Sequence, residues 1–310
     1  MGLLNALYIQ NALNQLITSM KSLKSLFFLL FISVSFTGYS QCLEGDCVNG
    51  HGIFKCSCGY VFEGEFKDGQ KVYGTLTKED LIYTGEFKDD IAEGQGVIKF
   101  IDSTWYEGSF FNSFPEGYGT FHFADGATYT GEMFEGKFKG IGVLKYTPNE
   151  NGDILYKMGE FENDDLNGFG IQIDAGSTYF GQLKNGDFNG FGIFLADSGV
   201  VVGGKVKNGK VTKQFELDMD DKRINFGSRP LKIGKNLYWL EGTFADSELA
   251  IVGENPDVEA LYVVYIRESN ELFLTSFESY PQGKIIDLSG NITKAEIKFV
   301  EGKIKLIELE

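Results

Sequence analysis

The sequence predicts an all-β fold: a single-layer elongated meander of stacked β-hairpins, followed by a mostly β C-terminal module. Three observations carry this reading. Between residues 62 and 211 a line of the form aromatic-x-Gly-x-Phe recurs six times or more, with a Gly-x-Gly element starting nine residues after the lead glycine in the best copies. The lead glycines Gly64, Gly85, Gly108, Gly131, Gly159, Gly181 and Gly204 lie 21, 23, 23, 28, 22 and 23 residues apart, and a fixed period in this range marks a repeat architecture. Turn dipeptides punctuate the apolar runs at Asp68-Gly69, Asp125-Gly126, Asn185-Gly186 and Asn208-Gly209.

Residues 1–40 read as an N-terminal extension plus a signal peptide, with Met20 as the true start. From Met20, Lys21 and Lys24 form a positive region, an apolar run follows from Leu26 to Phe36, and Gly38-Tyr39-Ser40 supplies small residues at the cleavage positions. The run is short for a membrane span, so cleavage before Gln41 is expected. The Tyr-Ser-Gln ending resembles that of exported Bacteroidetes-type proteins. Cys42 invites a lipoprotein reading, but Gln41 stands where a lipobox wants Gly, Ala or Ser. The expected location is periplasmic, cell-surface or secreted from a Gram-negative bacterium.

Residues 41–60 hold all four cysteines, Cys42, Cys47, Cys56 and Cys58. In an exported chain they read as disulfides, with three connectivities open. Cys56 and Cys58 are expected to share a strand face, so each is expected to pair with Cys42 or Cys47 rather than with the other. The alternative is a four-thiolate zinc site, although the C-x4-C-x8-C-x-C spacing lacks paired C-x-x-C knuckles; no metal and no cofactor are expected. Asn49-Gly50-His51-Gly52 repeats the Gly-x-Gly element, so this region reads as a half-repeat that caps the array and covers its edge.

Residues 61–212 are the array. The best copies are Tyr83-Thr84-Gly85-Glu86-Phe87 with Gly94-Gln95-Gly96, Tyr106-Glu107-Gly108-Ser109-Phe110 with Gly117-Tyr118-Gly119, Tyr129-Thr130-Gly131-Glu132-Met133 with Gly140-Ile141-Gly142, and Tyr179-Phe180-Gly181-Gln182-Leu183 with Gly190-Phe191-Gly192. One copy replaces the tyrosine by Lys157 and the next residue by Met158. An insertion around Pro148-Asn149-Glu150-Asn151-Gly152 accounts for the longest step. On a strand, Tyr, Gly and Phe of Tyr-x-Gly-x-Phe share one face. The bare glycine then leaves a trough across which a ring from a neighbouring strand can lie. The β-branched or aromatic residues after Gly-x-Gly supply the second strand. One such hairpin is unstable alone, so the copies must stack.

This line resembles the MORN repeat (membrane occupation and recognition nexus), whose usual pattern is Tyr-x-Gly-x-Trp/Phe-x-x-Gly followed by Gly-x-Gly. The resemblance covers about half the chain. It implies the fold and says little about activity, because such arrays accompany many functions. Some members carry a lipid kinase or lysine methyltransferase domain, and no such domain is legible here.

Residues 213–310 lose Gly-x-Gly and gain Ile, Leu and Lys. Short β-like runs stand at Phe215-Glu216-Leu217, Leu249-Ala250-Ile251-Val252, Leu272-Phe273-Leu274 and Lys284-Ile285-Ile286. A final hairpin is expected around Glu301-Gly302. Asn255-Pro256-Asp257 offers a helix cap leading through Leu261 and Tyr265, while Tyr262 to Ile266 equally fits a strand. The module is expected to close the far end of the array.

The chain has 44 acidic against 28 basic residues, a net charge of -16. Within residues 61–210 there are 24 Asp and Glu, 13 Lys and no Arg. That balance argues against nucleic acid as a partner and against strong binding to anionic membranes. The two histidines, His51 and His122, read as strand residues, and no nucleophile elbow or P-loop occurs. Asp164-Asp165 and Asp218-Met219-Asp220-Asp221 read as solvated turn acids, because neither continues into an EF-hand loop. The expected function is a non-catalytic scaffold or protein–protein interaction protein of the bacterial envelope, whose partner is another envelope protein or a second copy. The alternatives are glycan or peptide binding, or membrane-lipid-surface binding through the array. The candidate binding rings are Tyr83, Phe87, Tyr106, Phe110, Tyr129 and Tyr179; the opposing expectation is that they form the array's core.

Overall fold

The computed structural model describes residues 40–196, 201–207, 209–216, 231–232, 238–241, 248–252, 261–266, 269–275, 279, 281–300 and 303–309. The leader before Ser40, the Asp218 to Asp221 acids, the Asn255-Pro256-Asp257 cap and the Glu301-Gly302 turn lie outside them. No helix occurs among the described residues. Sixteen strands form one antiparallel meander in chain order. They are β1 (Gln41–Gly45), β2 (Gly50–Lys55), β3 (Val61–Lys67), β4 (Gln70–Lys78), β5 (Leu81–Lys88), β6 (Ile91–Phe100), β7 (Trp105–Phe111), β8 (Phe114–His122), β9 (Thr128–Phe134), β10 (Lys137–Lys145), β11 (Tyr156–Glu162), β12 (Asp165–Asp174), β13 (Ser177–Lys184), β14 (Asp187–Ala196), β15 (Val201–Lys207) and β16 (Lys210–Glu216). A second sheet of eight strands, also in chain order, holds β17 (Leu231–Lys232), β18 (Tyr238–Glu241), β19 (Glu248–Val252), β20 (Leu261–Ile266), β21 (Glu271–Leu274), β22 (Gln282–Ile286), β23 (Ile292–Val300) and β24 (Lys303–Glu308). Of the two readings open at Leu261 to Ile266, the strand is the one observed.

Each repeat is a hairpin whose two glycines face each other. The lead glycine pairs with the second glycine of Gly-x-Gly at Gly85↔Gly96, Gly131↔Gly142, Gly159↔Gly170 and Gly181↔Gly192. The tyrosine two residues before the lead glycine lies over this pair. A Cβ on Gly96 would stand 2.6 Å from the Tyr83 hydroxyl, and Gly142 and Gly192 meet Tyr129 and Tyr179 in the same way. For the lead glycine the covering ring thus comes from its own strand, not from a neighbouring strand as the trough suggested. Its hydroxyl donates to the carbonyl three residues on: Tyr83 to Glu86 at 2.9 Å, Tyr129 to Glu132 at 2.7 Å and Tyr179 to Gln182 at 2.8 Å. Burial pushes all three phenol pKa values up.

Past the glycine pair the register shifts. Gly85 pairs with Gly96 and Phe87 with Ala92, so the second strand carries two extra residues; the Gly131, Gly159 and Gly181 hairpins do the same. An even insertion keeps the alternation intact, so the aromatic residues stay on one side. The first glycine of Gly-x-Gly takes the positive φ this bulge requires, +99° at Gly94 and +86° at Gly140. The hairpin ends are two-residue turns with both φ values positive, as at Asp89/Asp90, Asn163/Asp164 and Asn185/Gly186. Successive turns are tied together: the second turn residue donates its N–H to the previous hairpin, Ser113 to Ala92, Asp164 to Phe138, Gly186 to Leu166 and Gly209 to Phe188.

The chain divides into two compact units, residues 1–100 with 109–116, and residues 101–108 with 117–310. In the first unit the rings interlock edge to face: Phe62 with Phe66 and Phe87, and Tyr83 with Phe87 and Phe110, all at 5.0–5.2 Å. Lys71 is buried among Phe54, Tyr60 and Phe62 and is neutralised by Asp90 at 3.1 Å. The N-terminal cap repeats the glycine pairing, Gly52 with Gly64 on β3 and with Gly45 on β1. A Cβ on Gly52 would stand 2.8 Å from the Cys47 sulfur, which takes the place of a ring.

The disulfides are Cys42–Cys47 and Cys56–Cys58, not the expected cross-pairs. Cys56 lies beyond β2 in the turn before β3, where Gly59 donates its N–H to the Cys56 carbonyl, so the two cysteines do not share a strand face. In the second unit, Tyr129 stacks on Phe138 at 3.7 Å and Tyr179 on Phe188 at 3.9 Å.

Two outcomes are expected. Gly96→Ala destabilises by about 1–3 kcal/mol by driving a methyl into the Tyr83 ring, and this cost falls by more than half in a Tyr83→Ala background, measured by denaturant unfolding. Gly85→Ala meets the Gln95 carbonyl and the Gly96 Cα as well as the Tyr83 hydroxyl, so most of its cost survives in that background; equal rescue of both would refute the ring-over-glycine account. Second, a non-reducing digest cut between Cys47 and Cys56 releases two peptides that each hold an internal disulfide. A single cross-linked product would exclude the pairing.

Candidate interaction face

The six rings singled out from the sequence are core. Tyr83, Phe87, Tyr106, Phe110, Tyr129 and Tyr179 all lie on the ring face and are 0–8% exposed. Their neighbours are each other, the paired glycines and the rings of adjoining strands, so they offer no contact area in this state. The spacing that made them conspicuous is the spacing of the internal stack.

The chemistry available to a partner therefore lies on the reverse face. Its residues sit at the x positions: the one before each lead glycine, the one after it, and those that follow in register. Reading the x of Tyr-x-Gly along the chain gives Thr84, Glu107, Thr130, Met158 and Phe180. The residues after Gly-x-Gly run Val97, Thr120, Val143, Ile171 and Ile193. The first series turns apolar in the later repeats, and the second is apolar throughout except at Thr120.

In the second unit that change has a cause. Val143, Met158, Ile171, Phe180, Ile193 and Leu195 form one buried cluster with Leu272, Leu274 and Ile286 of β21 and β22. The C-terminal sheet thus packs on the reverse face of the meander as a second layer, rather than serving only as the end closure anticipated. Two polar contacts frame the packing. The Tyr118 hydroxyl donates to the Gly290 carbonyl at 2.6 Å, and Lys284 pairs with Glu132. Gly290 has φ +87° and sits so close that a Cβ would stand 2.5 Å from Thr130 Cγ2. Tyr118, Glu132 and Lys284 were not picked from the sequence. The switch of the x residue from threonine to methionine and phenylalanine was the available signal.

In the first unit the reverse face stays polar and open. Thr75 and Thr84 share a hydroxyl hydrogen bond at 2.9 Å. Around them Tyr73 is 53% and Ile82 45% exposed, and Glu63, Glu65 and Glu86 are exposed. His51 is exposed on β2; His122 on β8 stacks on Trp105 at 3.5 Å with Glu107 at 3.7 Å. Burial lowers the His122 pKa, opposed by the Glu107 carboxylate.

In four repeats the residue after the lead glycine has the same job. Its side chain accepts the main-chain N–H at the centre of Gly-x-Gly: Glu86 from Gln95 at 3.2 Å, Glu132 from Ile141 at 2.8 Å, Glu160 from Phe169 at 2.9 Å and Gln182 from Phe191 at 3.0 Å. Glu160 is the most enclosed of the acids, and burial raises its pKa above the usual carboxylate value, with the Phe169 N–H pulling the other way. Lys157, which stands in the tyrosine position, is also buried; burial lowers its pKa, and Asp165 and Asp187 oppose that shift. Among the described residues no group of three or more His, Cys, Asp or Glu is placed to hold a metal ion.

A family model described as the MORN repeat matches residues 62–80, 83–105, 106–128, 129–149 and 179–201. No curated protein matches the chain.

Glu160→Gln tests the burial of this acid. A raised native pKa means the folded state holds its proton more tightly than the unfolded one, so stability falls as pH climbs from about 4.5 through the native value. The glutamine keeps the acceptor, as Gln182 does. The variant is expected to melt about 2–4 °C higher at pH 7 and to match the parent below pH 4. An unchanged midpoint at pH 7 would show that Glu160 carries no burial penalty.

Proposed function

Starting from an array built of MORN repeats, we infer that this chain is a non-catalytic interaction protein of the bacterial envelope, working as a scaffold for another protein. One observation carries the reading. The aromatic residues are spent inside the array, while the reverse face of the first unit presents exposed Tyr73 and Ile82 among exposed acids. Polar faces with isolated exposed rings suit protein recognition, where tyrosine supplies contact area at low entropic cost. The acid excess of the array disfavours anionic lipid. Export is supported by the leader-like residues 20–40 and by two disulfides, which persist in oxidising compartments.

The test is site-specific photo-cross-linking in envelope extract. The full chain carries the cross-linker at Ile82 or, as a control, at Ile101, which is 78% exposed outside the first unit. A single protein trapped from Ile82 and not from Ile101 is expected. Trapping of lipid alone, or of nothing, would sink the scaffold reading.

A further inference from the structure

The reverse face already holds one lysine, and the way it does so indicates what else it can hold. In the second unit one Glu132 oxygen accepts the N–H of Ile141 and the other takes the ammonium of Lys284. Directly opposite Glu132 in the ladder stands Tyr118, whose hydroxyl reaches the carbonyl of Gly290 in the same C-terminal sheet. A cross-strand Tyr–Glu pair, with its carboxylate anchored on the bulge N–H, is therefore a seat for a lysine and a nearby turn carbonyl.

The same pair recurs in the first unit at the same register. Tyr73, between Val72 and Gly74 on β4, occupies the position that Tyr118 holds between Gly117 and Gly119, and stands opposite Glu86 on β5. Glu86 is anchored by the N–H of Gln95 through Oε1. On its other side Tyr73 faces Glu65 of β3. Directly opposed residues have their Cβ atoms about 4.5–5.5 Å apart, so an exposed phenol ring lies between two carboxylates. A ring face attracts an ammonium group and the flanking carboxylates add charge-assisted hydrogen bonds. Among the described residues neither Glu65 nor Glu86 has a cationic partner.

We propose that Glu65, Tyr73 and Glu86 form a docking site for a lysine-bearing β-turn or strand edge of a partner protein, engaged as Lys284 engages Glu132. The proposal rests on the interaction-protein reading and names the chemistry of the partner. A second copy of this chain fits less well. Its net charge of -16 opposes self-association, and its Leu272 and Leu274 would meet Thr75 and Thr84 where they now meet Met158 and Phe180.

The experiment titrates the full chain with a short cyclic β-hairpin peptide that presents lysines on one face, beside a counterpart with glutamates in their place. Binding is followed by calorimetry. The lysine hairpin is expected to bind and the glutamate hairpin not to. Tyr73→Ala and the pair Glu65→Gln with Glu86→Gln each weaken binding about tenfold or more, and raising the salt weakens it further. Glu150→Gln, remote in the Pro148 insertion, leaves it unchanged. Folding is not at issue: Tyr73 is exposed, and a glutamine in the Glu86 position keeps the bulge hydrogen bond, as Gln182 shows. Absent binding, equal binding of both hairpins, or full affinity in the variants would overturn the site. So would a concentration-dependent dimer abolished by Tyr73→Ala, which would assign the face to self-association. A protein cross-linked from Ile82 as strongly in these variants as in the parent would remove the site and leave the scaffold reading standing.

Discussion

The structure depends on a tyrosine ring laid across two glycines that face each other on paired strands. Neither glycine has a Cβ, so the ring can approach the backbone of both strands at once and cover amide surface that would otherwise be bare. The geometry leaves no freedom nearby. The hydroxyl must find the carbonyl three residues on, as Tyr83, Tyr129 and Tyr179 do. The returning strand must absorb two residues before its next aromatic can rejoin the ring face, hence a glycine of positive φ and an acceptor side chain to hold the N–H beside it. The recurring interval of 21 to 23 residues is the chain length one such unit consumes.

A consequence is that the two faces of the sheet have different kinds of freedom. On the ring face each residue is bound to its repeat neighbours, and a departure needs a local remedy. Lys71 is tolerated because Asp90 and three rings surround it, and Lys157 lies close to the Tyr146 ring with Asp165 and Asp187 nearby. On the reverse face the residues before the lead glycine answer to no repeat constraint. Thr75 and Thr84 stand where the face is open, and Met158, Ile171 and Phe180 where the C-terminal sheet covers it. Burying Met158 and Phe180 against Leu272 and Leu274 is worth about 1.5–3 kcal/mol for each side chain fully removed from water.

This asymmetry also explains what was legible in the sequence. The meander and its hairpins follow from Tyr-x-Gly, Gly-x-Gly and the turn dipeptides, because those positions are fixed by contacts inside one repeat. The cysteine pairing did not follow, since it turned on whether Cys56 sat on a strand or in a turn. Surface and core both stayed open for the rings because alternation tells which residues share a face and not which face is wet. The seat of Lys284 joins residues more than 150 positions apart, and no periodicity within the array encodes it. The drift of the x residue toward apolar types did mark where a second layer would lie.

Specificity in such an array must therefore be written at the x positions. The ring face is the same object in every repeat and cannot distinguish one partner from another. The reverse face changes from repeat to repeat at no cost to the stack, and the acid or amide anchored beside four of the bulges gives it a recurring point for recognition. At Glu132 that point holds a lysine of the same chain, at Glu160 it is enclosed, at Gln182 it has lost its charge, and at Glu86 it stands open beside Tyr73. One scaffold thus presents the same device in four electrostatic states. Among these, the charged and open state at Glu86 is the one whose chemistry is available to a cation from outside.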